Sequence, residues 1–277
     1  ANTNGNGLKK VKLVVTDYAK WPYSMDFTTK SLAPASDSIV LHWNLDEESS
    51  WLNGGTSATD LSGSRPGPDG VVGSADDVPA NANTGLLTGG TVVGQDGRFG
   101  KAFKFDGKDD KVTRTLAAKT TYEKFTLSIW AKPEVAGQSA NSSIFSSGNT
   151  GNDFQIDMDG ASPGEWRYAG DKVGTKKLGT VTTDWTHIAV VCDGTNTKIY
   201  FNGDEKYNIA NKKDNIFQNF RIGVNRGSDK HFKGLIDDVR IYDSALNAAD
   251  LHALADIRLK NFPTLVRLRD GLGGFAY

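Results

Sequence analysis

From residue 39 to residue 243 the chain runs through short stretches in which apolar and polar residues alternate, each ended by glycine, asparagine or aspartate. A period of two puts successive side chains on opposite faces of an extended backbone, so these stretches predict half-buried strands joined by tight turns. The clearest are 39–45, 101–107, 110–116, 125–132, 153–159, 185–193, 197–203, 219–224 and 232–243, with EWRYAG at 165–170 between the fifth and sixth. So many short strands predict an all-β fold, a two-sheet antiparallel sandwich. Asn202-Gly203-Asp204 predicts a tight hairpin, because asparagine followed by glycine adopts left-handed backbone angles at little cost. One helix is expected over 244–256, with Asn247 as its cap, Asp250 reciprocating, and Leu251 and Leu254 on one face. It is expected to close the sandwich as a lid.

Composition narrows the functional classes. Glycine far outnumbers proline, 31 to 8, which fits many turns, and a net charge of -1 gives no electrostatic reason to expect nucleic acid or an anionic membrane. No apolar run approaches the ~20 residues that span a bilayer. The chain starts at Ala1 without a basic, then apolar, leader, which is compatible with a processed and exported chain. Its single cysteine, Cys192, excludes an intrachain disulfide and reads as a small buried hydrophobe. The expected organisation is an extension at 1–38, the sandwich at 39–256 and a second extension at 257–277. Both extensions hold strand-like segments with basic faces, LKKVKLVV at 8–15 and TLVRLRDGLGGFAY at 264–277.

Five segments in order, IVLHWNLDE, GRFGKAFKFDGKDDKV, FTLSIWAKPE, DWTHIAVVCDGTNTKIYFNG and FKGLIDDVRIYDSALNAADLHAL, carry a resemblance over residues 39–256. They resemble the laminin-G-like, or concanavalin A-like, jelly-roll domains of bacterial surface and secreted proteins. The resemblance implies two curved antiparallel sheets packed face to face, often a bound Ca²⁺, and ligands at the concave face or the loop rim. It places structural calcium where the sheet starts and finishes: Asp46, the turn at Asp106 and Gly107, and Asp238. A second calcium candidate is the insert SRPGPDGVVGSADDVP, with Asp69, Asp76 and Asp77 among glycines, although it lacks the complete EF-hand pattern. Clustered aspartates and glycine turns offer the hard oxygen ligands that calcium prefers, and the four scattered histidines make no zinc set.

Glucanases of this fold use a strand reading Glu-x-Asp-x-Glu or Glu-x-Asp-x-x-Glu, and the matching positions here are Gln155, Asp157 and Asp159. Retaining hydrolysis needs one ionised and one protonated carboxyl about 5–5.5 Å apart. Gln155 cannot be the nucleophile. Asp157 and Asp159 could form another pair, but an ordinary solvated strand face accounts for them equally well, and no catalysis is expected. Alternation puts Phe154, Ile156 and Met158 toward the core and the three polar residues toward a groove or solvent. Sugar binding without turnover asks for an aromatic platform beside planar polar groups. Trp166, Tyr168 and Trp51 are the candidates, against core packing for the first two. The expected function is a non-catalytic extracellular or cell-surface recognition module for a glycan or protein, calcium-stabilised. The alternative is a subunit of a filament, sheath or surface layer that self-assembles through residues 8–15 and 264–277. A polysaccharide hydrolase or lyase is the minor alternative.

Overall fold

The computed structural model of the chain describes residues 9–13, 25–29, 38–45, 57–58, 83–148 and 151–255. The first strands are β1 (Lys9–Leu13), β2 (Met25–Thr29), β3 (Ile39–Trp43), β4 (Ser57–Ala58), β5 (Gly85–Thr88), β6 (Val92–Asp96), β7 (Lys101–Asp106), β8 (Lys111–Thr121) and β9 (Phe125–Pro133). There follow β10 (Ser143–Ser146), β11 (Phe154–Met158), β12 (Glu165–Gly170), β13 (Gly174–Thr180), β14 (Thr186–Cys192), β15 (Thr197–Phe201), β16 (Asp204–Ile209), β17 (Ile216–Ile222), β18 (Lys233–Tyr242) and helix α1 (Ala248–Leu254).

Two antiparallel sheets make the sandwich. The first runs β13-β12-β11-β10-β17-β8-β5-β4 and the second β16-β15-β14-β9-β18-β7-β6. Long β18 serves two neighbours on one edge: Lys233–Ile236 pair with β7, and Val239–Tyr242 pair with β3. Between these halves the ladder shifts register at Asp237 and Asp238, and Asp238 takes a left-handed φ of 47°. β1 pairs with β2 in a two-stranded sheet of its own, so the basic strand expected at 8–15 joins no sandwich edge among the described residues.

Between the sheets lies one continuous apolar core. Phe154 sits at its centre, stacked on Tyr168 at 5.2 Å and Phe125 at 5.8 Å, with Phe217 edge-on at 5.8 Å and Phe145 tilted at 5.6 Å. Rings meeting edge-on or offset add to the gain from burial alone. The Asn202-Gly203 hairpin forms as expected, joining β15 to β16 with φ of 53° and 89° at the two turn residues.

Helix α1 begins at its expected cap, where the Asn247 side chain accepts the Asp250 N–H at 3.0 Å. The expected lid lies over the outer face of the second sheet. Leu246, Leu251 and Leu254 pack with Ala189, Val191, Tyr200 and Tyr242 in a second cluster, separate from the main core. β14 explains why. Ile188, Val190 and Cys192 belong to the main core while Ala189 and Val191 belong to the second cluster, so this strand is apolar on both faces and needs cover on each. The helix supplies the outer cover, and the Trp130 indole N–H donates to the Leu254 carbonyl at 3.2 Å.

Candidate functional site

Gln155 and Asp157 of the polar stripe lie where alternation puts them, opposite Phe154, Ile156 and Met158, but they do not face solvent, while Asp159, just past the end of the strand, is partly exposed. Gln155 is 5% exposed and Asp157 is fully buried. Register on β12 sets Arg167 directly beside Asp157, and the guanidinium Nε donates to the carboxylate at 2.8 Å. The Gln155 amide donates to the other carboxylate oxygen. Over this pair folds the turn after β17, whose Arg226 N–H donates to Gln155 Oε1 at 3.1 Å. The Arg226 guanidinium then reaches Asp153 at 2.7 Å and Asp171 at 2.6 Å. The stripe is therefore a closed ion-pair layer rather than a groove. Burial pushes the Asp157 carboxyl up, and the Gln155 amide and Arg167 draw it only partly back.

Asp159 holds a turn. It accepts the Ala161 N–H at 3.0 Å and the Glu165 N–H at 2.9 Å, bonds that pull its carboxyl below the usual range. Trp166 and Tyr168 are both fully buried and belong to the core. The expectation of a ligand platform is corrected accordingly: their strand neighbours across β11 are Met158 and Ile156, so they project to the apolar face, away from the polar stripe. Trp51 lies outside the described residues. A serine–histidine pair does occur, Ser128 Oγ to His187 Nε2 at 2.9 Å, but both residues are fully buried. Burial lowers the imidazole pKa to about 3, so His187 stays neutral at ordinary pH.

Of the expected calcium ligands, Asp46, Asp69, Asp76 and Asp77 lie outside the described residues. Asp238 is engaged otherwise: one oxygen accepts from His42 Nε2 at 3.0 Å and from Arg240 Nε at 2.8 Å. Burial alone would push this carboxyl up, but His42 and Arg240 hold it below its ordinary value, as an ion-pair partner. Asp106 and Gly107 keep better company. At this turn the carboxylates of Asp106, Asp109 and Asp110 lie within 4.8 Å of one another. Asp110 is only 2% exposed, and its Oδ2 accepts the Asp106 N–H at 2.7 Å. Its Oδ1 is buried with no hydrogen-bond partner. Burial and the two neighbouring aspartates push its carboxyl up. A cation would answer that orphaned oxygen and the repulsion together. Asp109 and Asp110 were overlooked in sequence although the run Asp106-Gly107-Lys108-Asp109-Asp110 contains the signal.

Among the described residues an open cleft lies elsewhere, on the outer face of the second sheet. A cleft of about 380 Å³ is lined by Gln95, Lys104, Lys132, Pro133, Glu134, Thr183, Gly234 and Leu235. Its volume sits at the small end of ligand pockets, which run about 300–1,000 Å³. Register builds the floor: Leu235 on β18 lies directly between Lys104 on β7 and Lys132 on β9, all on one face. Next to it Gly234 is required by space, since an added Cβ would stand 2.3 Å from the Lys132 carbonyl oxygen. On the rim Glu134 pairs with Lys104 at 3.3 Å and Lys233 at 2.9 Å, and both lower its carboxyl. The Gln138 amide fixes this corner, accepting the Lys233 N–H at 2.8 Å and donating to its carbonyl at 2.7 Å. These residues come from segments far apart in sequence, and no local motif marks them.

Comparison with known proteins agrees with this architecture. A family model described as the concanavalin A-like lectin/glucanases superfamily matches residues 106–252, just over half of the chain. No curated protein matches it. Among solved structures, domain 4 of AbnA, a GH43 extracellular arabinanase from Geobacillus stearothermophilus solved with arabinotriose, is 23% identical with a TM-score of 0.53. That match covers 79% of this chain and 98% of the AbnA domain. The botulinum neurotoxin serotype D ligand binding domain, solved with N-acetylneuraminic acid, is 14% identical with a TM-score of 0.55. The binding domain of Paraclostridial Mosquitocidal Protein 1 is 15% identical with a TM-score of 0.55. The matches cover 83% and 84% of this chain but only 53% and 54% of those two, so the chain spans about half their length.

Proposed function

This chain belongs to the concanavalin A-like lectin/glucanases superfamily, and we propose that it is a non-catalytic carbohydrate-binding module acting outside the cell or at its surface. The observation that carries this reading is the cleft on the second sheet, where the partly exposed Leu235 and buried Pro133 form an apolar floor inside a rim of Gln95, Lys104, Lys132, Glu134 and Thr183. Such a mixture of apolar floor and convergent hydrogen-bonding groups suits a sugar, which presents C–H and hydroxyl together. Support also comes from the AbnA domain, nearly all of whose length this chain spans and which was solved with arabinotriose. The absence of turnover is argued from Gln155 at the nucleophile position and from Asp157, which is committed to Arg167.

Affinity electrophoresis of the full chain through gels containing a panel of plant and bacterial polysaccharides tests the reading. Retardation by at least one, with no reducing ends released from it, is expected. Free migration through all of them would sink the proposal.

Calcium belongs to the same reading as a structural ion. Asp106, Asp109 and Asp110 would hold it, and it would add to the charge of Lys108, which pairs with Asp106 at 3.6 Å. Millimolar Ca²⁺ is expected to raise the melting temperature, since a ligand bound only to the folded state at a hundred times its Kd adds about 2.7 kcal/mol. Asp110→Asn should remove that gain. An equal response in the variant, or no response in the parent, would remove calcium from this turn.

A further inference from the structure

Resting on the carbohydrate reading, we infer that the cleft selects acidic sugars, with the Lys132 ammonium as the group that receives the sugar carboxylate. Lys104 and Lys132 line the cleft with a single carboxylate, Glu134, which pairs with the Lys104 ammonium and with that of Lys233 just outside the lining. Glu134 is divided between Lys104 and Lys233, while Lys132 has no ion pair among the described residues. The cleft therefore carries an excess of positive charge within a chain whose net charge is -1. That excess is held in place, because Gln138 clamps the Lys233 backbone and Glu134 bridges two lysines.

The lining offers a neutral sugar the apolar floor of Leu235 and Pro133 but no aromatic platform. None of the lining residues is aromatic, so no ring is present to stack on a pyranose face. Binding strength must come from hydrogen bonds, and those between an ammonium and a carboxylate are about twice as strong as neutral ones. Lys132 is half-buried beside Leu235 and Pro133, where a partly lowered dielectric strengthens such a bond relative to one in open water. Thr183 and Gln95, on the other walls, are left to the sugar hydroxyls.

The test is calorimetry of the full chain against oligogalacturonate, oligoglucuronate and alginate oligomers, each compared with its methyl-esterified form, and against inorganic phosphate. At least one acidic oligomer is expected to bind, its ester at least about tenfold more weakly, and phosphate no better than chloride. Affinity for the acid should fall as salt rises. Lys132→Gln should cost about tenfold or more, Lys132→Arg should restore most of it, and Glu134→Gln, which removes the one carboxylate of the lining, should tighten acid binding. Circular dichroism of each variant separates lost binding from lost folding. If an ester binds as well as its acid, or Lys132→Gln changes nothing, acid selection is wrong while carbohydrate binding stands. Tight phosphate binding would make the cleft a general anion site and overturn the sugar assignment. If no oligomer binds and the polysaccharide panel fails too, both readings fall together.

Discussion

Alanine at Phe154 is expected to remove about 3–5 kcal/mol of folding stability, the cost of deleting a buried aromatic and leaving a cavity. Four rings touch Phe154: Phe125, Phe145, Tyr168 and Phe217, contributed by β9, β10, β12 and β17. Those strands belong to both sheets, so one void would loosen the contact between them. The neighbours cannot close it, because interiors packed at crystal density move little and each ring is itself fixed by others. Urea denaturation followed by tryptophan fluorescence measures the loss. A change below about 1 kcal/mol would show that the aromatic cluster repacks and that Phe154 is not its centre.

Replacing Arg167 by methionine should cost nearly as much, about 3–5 kcal/mol, for a different reason. The variant would leave the fully buried Asp157 carboxylate with only the Gln155 amide and the more distant Arg226 to balance it. Breaking a buried pair by removing one partner is far more costly than replacing both, so Asp157→Leu together with Arg167→Met should recover much of the loss. The sign with pH follows from burial, which already raises the Asp157 carboxyl above its ordinary value. Removing the arginine takes away a force that lowers it, so the variant's folded pKa lies higher still above that of the unfolded chain. Its deficit is then complete above the folded pKa and shrinks as pH falls through it. Equal destabilisation in the single and double variants, or a deficit that grows toward low pH, would show that the pair is not what stabilises this face.

The polar stripe shows where sequence reasoning held and where it stopped. Alternation correctly divided β11 into Phe154, Ile156 and Met158 on one face and Gln155 and Asp157 on the other. It could not say what covers the second face, because Arg226 arrives from about seventy residues further along the chain. Trp166 and Tyr168 failed as a platform for a related reason. Period two showed that they share a face, and only their register against Met158 and Ile156 showed which face that is. The calcium turn was half legible. Asp106 and Gly107 were singled out, while the buried, unpartnered oxygen of Asp110 depends on the fold around it. The cleft was invisible, since Lys104, Lys132 and Leu235 become neighbours only through pairing of β7, β18 and β9.

Local rules written in consecutive residues were enough for the all-β class, the Asn202-Gly203 hairpin and the Asn247 helix cap, because each depends on backbone preferences and side-chain period over a few positions. Which polar face is sealed, which aromatics are core, which side of the sandwich the helix covers and where a ligand has room all depend on contacts between distant segments. Burial and charge pairing are properties of a three-dimensional neighbourhood, and in an antiparallel sandwich nearly every neighbourhood is assembled from strands far apart along the chain.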